Sequence, residues 1–150
     1  MCWTVTNVPF VVAVALLLLD RALKVLASII PPVRADFSFA EFAFKATPTT
    51  NVLGIIPLGS AFSLPLVSVA FVSLAVWIFL HSRHEPHTPS ALPSVLVLLG
   101  GASNVYDRLA TGAVTDVFRL ALGANAIVFN LADIMIMVGV VCSVKGIGKG

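Results

Sequence analysis

Long apolar runs separated by short polar interruptions dominate the chain, and the lengths of those runs set the first expectation. About 20 mainly apolar residues cross a hydrocarbon core of about 30 Å as a helix. Runs of that kind occupy about 8–30, 59–80, 91–107 and 125–144. Pro31-Pro32 closes the first, and the second carries Pro65, which a membrane helix tolerates where neighbours satisfy the freed backbone. The pattern predicts an all-α integral membrane protein of four transmembrane helices, with 1–150 as a single membrane-embedded domain.

The connection between the first two runs has a different period. Phe37 and Phe39 alternate, and Phe42 and Phe44 alternate after a one-residue slip. This suggests short strands with a bulge or turn near Ala40-Glu41, and four phenylalanines packed over the helix ends suit it equally well. The fold expected is therefore four helices with a small strand-containing extracytoplasmic loop. Between the second and third runs, His81, Arg83, His84, Glu85 and His87 lie among prolines. Three histidines in a Pro-rich loop lack a rigid scaffold, so this reads as a solvated loop and no metal is expected.

Composition strengthens the membrane reading. Hydrophobic residues make up 59% and charged residues 11%, with a mean hydropathy of +1.04, against about 25% charged in soluble domains. Nine scattered Lys and Arg give no nucleic-acid footprint. Cys2 and Cys142 predict no disulfide framework. The first run has no leading Lys or Arg and no cleavage site before Asp20, so it reads as a retained anchor. Four spans would put both termini on one side, with Arg83, Lys145 and Lys149, and Arg34, Lys45, Arg108 and Arg119 on the other. Charge therefore does not decide the orientation.

The chemistry lies in polar residues set in greasy sequence, where each ionisable group is costly and marks a candidate site. Asn130 and Asp133, three apart, share a helix face if the fourth run is helical throughout. Asp133 would then lie roughly 12 Å in from Asn125 at 1.5 Å per residue. Asp116 enters that run from the preceding connection. Two carboxyls sharing a site cannot easily both ionise, and such a pair can hydrolyse an amide: one takes a proton from water while the other polarises the carbonyl. Asp20 and Lys24, at i and i+4, read as a structural ion pair, and Asp107-Arg108 alone as an interfacial one. A lone Asp133 would suit a proton-coupled transporter, but no internal repeat is visible.

Four blocks then carry a specific resemblance. Gly100 to Leu109 ends in Asn104-Val105-Tyr106-Asp107-Arg108, Gly112 to Phe118 contains Thr115-Asp116, Phe129 to Ile136 contains Asn130-Leu131-Ala132-Asp133, and Asp20 to Lys24 lies in the first run. In order and spacing they resemble the bacterial lipoprotein signal peptidases, aspartyl proteases of the inner membrane. The resemblance implies that Asp116 and Asp133 form the catalytic pair. It further implies that Asn104, Asp107, Arg108 and Asn130 support the pair and line the substrate site, with Asp20 and Lys24 as a polar pair and Asn51 as a substrate contact.

The resemblance also implies a diacylglyceryl-modified prolipoprotein as substrate, cut before the lipidated cysteine, and membrane lipid as the surroundings. No cofactor, a monomeric state and a periplasmic active site are implied as well. An inactive paralogue that binds acylated peptides is the alternative. Three departures stand out: Arg21 where the family has Gln, a loosely matched segment after Asn51, and Phe118 displaced from Asp116 by Val117.

Overall fold

The computed structural model describes residues 8–36, 41–49, 73–74, 76, 92–122 and 125–147. Asn51, Phe37, Phe39, the histidine loop and most of the 59–80 run lie outside the described residues; Ser73, Leu74 and Val76 are helical. The elements with defined bounds among the described residues are, in order, α1 (Val8–Ile29), β1 (Val33–Asp36), β2 (Glu41–Thr49), α2 (Leu92–Thr111), β3 (Val114–Leu122), β4 (Asn125–Phe129) and α3 (Leu131–Ile147).

This corrects the all-α expectation. The strands form one antiparallel sheet in the order β1-β2-β3-β4. No helix among the described residues is long and apolar enough to cross a membrane. The reasons are local. Asp20, Arg21 and Lys24 interrupt α1, Asn104, Asp107 and Arg108 occupy the second half of α2, and α3 has 17 residues, roughly 26 Å at 1.5 Å each. The fourth apolar run is divided: Asn125–Phe129 is strand, and the helix begins only at Leu131. The connection expected at 107–124 is the last turn of α2 followed by β3.

Three of the helix ends have a clear chemical cause. Pro31-Pro32 cannot continue α1, whose last turn closes with Ile30 N–H donating to Leu26 O at 3.0 Å. Pro93 sits in the first turn of α2, where a missing N–H is tolerated. Gly112, at φ +79°, ends α2 by taking the left-handed conformation, and its N–H donates to Arg108 O at 2.9 Å.

Helices α2 and α3 approach closely through two glycines. A Cβ on Gly100 would lie 2.6 Å from Ala132 O, and one on Gly139 would lie 2.6 Å from Pro93 O. Helix α1 packs across both, and Ala13, Leu96 and Met135 form the core where the three meet. The sheet abuts α1 and α2 through β2 and β3.

On one face of the sheet Phe118 stacks against Phe42 and lies tilted against Phe44 and Phe129, with ring centroids 5.5–6.0 Å apart. The other face holds a charged cleft lined by Arg34, Glu41, Ala43, Lys45 and Arg119, with Arg119 and Glu41 paired at 2.9 Å. The strand suggested by Phe42 and Phe44 is present as β2, while Phe37 and Phe39 lie outside the described residues. The irregularity in β2 falls between Phe44 and Thr47, several residues beyond Ala40-Glu41.

Candidate active site

The N-terminus of α3 is the scaffold of the site. Asn130 precedes the helix and Asp133 is its third residue, so Asp133 sits in the first turn and not deep within a longer helix as the apolar run suggested. The two form a reciprocal cap. Asp133 N–H donates to Asn130 Oδ1 at 2.9 Å, and Asn130 N–H donates to Asp133 Oδ2 at 3.2 Å. Side chain bonds N–H and carboxylate bonds N–H, which satisfies two donors that a helix start otherwise leaves open.

From this cap Asn130 reaches the second acid. Its Nδ2 donates to Asp116 Oδ1 at 2.8 Å and to Asn104 Oδ1 at 3.2 Å. Asn104, on α2, donates from Nδ2 to Asp133 Oδ1 at 2.7 Å. Two asparagines thus bridge two aspartates, all four buried. Both oxygens of Asp133 accept hydrogen bonds, while Asp116 Oδ2 is buried with no partner among the described residues. Burial and the nearby charge of Asp133 push the Asp116 carboxyl up to about 7. Arg108, buried on α2, lies within electrostatic range of Asp133, Asp116 and Asp107.

A second polar cluster joins α1 to the same site. Asp20 Oδ1 accepts Ala132 N–H at 3.0 Å, capping the start of α3 from another helix. Its Oδ2 accepts Ser103 Oγ at 2.6 Å and pairs with Lys24 at 3.0 Å and Arg21 at 3.1 Å. Asp107 takes Arg21 Nη1 on Oδ1 at 2.6 Å and Lys24 Nζ on Oδ2 at 2.8 Å, and Thr115 N–H donates to Oδ2 at 3.3 Å.

Asp107 is thus paired with two cations of α1. Arg21, one of the departures, pairs with Asp107, Asp20 and the Ser103 hydroxyl, and its guanidinium lies 5.5 Å from the Tyr106 ring centre.

Eight of the nine residues singled out from sequence therefore fall in two touching clusters; Asn51 lies outside the described residues. Ser103 was not singled out, although it donates to Asp20 and accepts from Arg21 and Lys24. Among the described residues no group of His, Cys, Asp and Glu is arranged to hold a metal ion.

Comparison with known proteins agrees with this geometry. The sequence profile described as Signal peptidase (SPase) II matches residues 12–147. A lipoprotein signal peptidase of Rhodopseudomonas palustris is 38% identical over 91 residues, 57% of this chain and 52% of that protein. One from Streptococcus pneumoniae is 33% identical over 91 residues, 55% and 58% of the two chains, and one from Helicobacter pylori is 39% identical over 67 residues, 45% and 43%. The matches span about half the length of these curated relatives.

Two solved structures described as bacterial membrane enzymes share the fold. One has a TM-score of 0.73 at 18% identity, covering 97% of this chain and 90% of the other, and the second a TM-score of 0.69 at 16% identity, covering 97% and 95%. With the profile matched from the second turn of α1 to the end of α3, the chain belongs to the signal peptidase II family.

Proposed function

We propose that the chain is an aspartyl endopeptidase that removes signal peptides from diacylglyceryl-modified prolipoproteins, cutting before the lipidated cysteine. The observation that carries the reading is the pair of buried aspartates bridged by Asn130, one oxygen of which has no partner. Asp133, holding hydrogen bonds on both oxygens, suits the ionised member, and it takes a proton from the attacking water. Asp116, with its carboxyl raised to about 7 and Oδ2 open, suits the member that carries a proton and donates a hydrogen bond to the scissile carbonyl. The titration belongs to the pair. Asn104 and Asn130 keep the two carboxyls apart and aimed, and Arg108 offsets the charge that develops.

The location that fits is the bacterial inner membrane, with more than one helix in lipid and the pair toward the periplasmic side. Support comes from large apolar side chains exposed on every helix, among them Leu18, Val25, Ile29, Leu109 and Met137. An outward apolar surface of this extent needs a non-aqueous neighbour. Lipid tails of the substrate would meet that surface while the peptide reaches the pair.

The test is cleavage by the purified protein in lipid of a diacylglyceryl-modified prolipoprotein beside the same precursor without lipid. Cleavage of the modified precursor before its cysteine, with the unmodified one left intact, is expected. Absence of cleavage with retained binding would point to an inactive paralogue that holds acylated peptides.

A further inference from the structure

The sheet carries a second unpartnered polar atom, and it faces the first. Thr47 in β2 is the register partner of Asp116 in β3. Residues directly opposite in an antiparallel pair share a face, with Cβ atoms about 4.5–5.5 Å apart. The Thr47 hydroxyl oxygen and Asp116 Oδ2 are both buried, and neither has a hydrogen-bond partner among the described residues. Native structures leave few such atoms, because each costs desolvation without return. Two of them on facing positions, not bonded to each other, mark one place where a polar group of a ligand would satisfy both.

The strand irregularity explains how Thr47 comes to be there. Before it, Phe42 and Phe44 share the face of Leu120 and Phe118; after it, Thr47 and Thr49 lie opposite Asp116 and Val114. Strict alternation from Phe44 would have put residue 46 on that face and turned Thr47 to the other side. One extra residue in β2 between Phe44 and Thr47 reverses the parity and re-aims the hydroxyl, as bulges do beside active sites. The aromatic face of Phe42, Phe44, Phe118 and Phe129 then runs directly into the acidic pair.

We infer that Thr47 is a substrate-contacting residue, whose hydroxyl donates a hydrogen bond to the scissile carbonyl oxygen alongside Asp116 and strengthens that bond as negative charge gathers there. No proton is transferred from the threonine, and no bond to it forms. The inference rests on the proposed peptidase reading. A hydroxyl placed for the transition state acts on kcat, not on ground-state binding.

The test compares wild type, Thr47→Val, Thr47→Ser and Asp116→Asn in cleavage of the diacylglyceryl-modified prolipoprotein and in thermal unfolding. Valine keeps the shape and removes the orphan hydroxyl. Thr47→Val is expected to lose about 10-fold or more in kcat with KM within about twofold, in the manner of a lost oxyanion donor, while its melting temperature stays level or rises. Thr47→Ser is expected to retain most of the activity. Full kcat in Thr47→Val beside an inactive Asp116→Asn removes this inference and leaves the acidic pair standing. A lowered melting temperature in Thr47→Val that tracks its loss of activity assigns the residue to folding instead. Full cleavage by Asp116→Asn removes both readings.

Discussion

Four buried aspartates lie in two linked polar clusters, and they divide into pairs with opposite surroundings. Asp20 and Asp107 share two cations, Arg21 and Lys24, with Ser103 between them. Asp116 and Asp133 accept hydrogen bonds from the amides of Asn104 and Asn130, with Arg108 at electrostatic reach. The same side chain thus serves two ends. Where the protein supplies opposite charge, the carboxylate fastens α1 to α2 and α3. Where it supplies neutral amides in a buried place, ionising both is costly, and the proposed function gives the retained proton to catalysis.

Substitution in the acidic pair breaks the comparison most sharply. Asp116→Asn and Asp133→Asn are each expected to lower kcat by about 10²–10⁴-fold, the range for a general acid or base, with a folded protein by circular dichroism. In the neutralised pair the effect moves to stability. Lys24→Met leaves Asp20 and Asp107 with too little opposing charge and is expected to cost about 3–5 kcal/mol in denaturant unfolding, as breaking a buried pair does. A Lys24→Met protein as stable as wild type would mean that Arg21 alone neutralises both acids. Ser103→Ala removes the hydroxyl that joins the cluster and is expected to cost about 1–3 kcal/mol by the same measurement.

The raised Asp116 carboxyl also makes stability depend on pH. The Asp116 carboxyl, raised to about 7 in the folded chain, sits near the ordinary value of about 3.9 when unfolded. Between those values the folded state holds a proton that the unfolded state has lost, so stability falls as pH rises through that window and levels off above about 7. Melting temperatures from pH 4 to 8 should show this fall in wild type, and a shallower one in Asp116→Asn.

Much of the acidic pair was legible in the sequence, because an aspartate in apolar surroundings is conspicuous and Asn130-Leu131-Ala132-Asp133 has the spacing of a helix cap. The same spacing could have shown that α3 starts at Leu131. Hydropathy hid it: Asn125–Phe129 is as apolar as the helix that follows, and a continuous apolar run does not tell a buried strand from a helix.

The phenylalanine alternation did announce strands, but it could not show that the residues around Asp116 would join them. Partners far apart in the chain were equally out of reach. Arg21 and Asp107 are 86 positions apart, so the balance of that extra charge appears only in three dimensions. Thr47 was missed because its importance comes from a one-residue shift in pairing, to which composition is blind.

The division between the two pairs comes down to where a proton resides. Infrared difference spectra of the protein in lipid, taken as pH is raised from 5 to 9, report the C=O stretch of a protonated buried carboxyl directly. The account predicts one such band in wild type that titrates away around pH 7, is missing in Asp116→Asn, and titrates at lower pH in Asp133→Asn, where the neighbouring negative charge is gone. A band that persists unchanged in Asp116→Asn would contradict it.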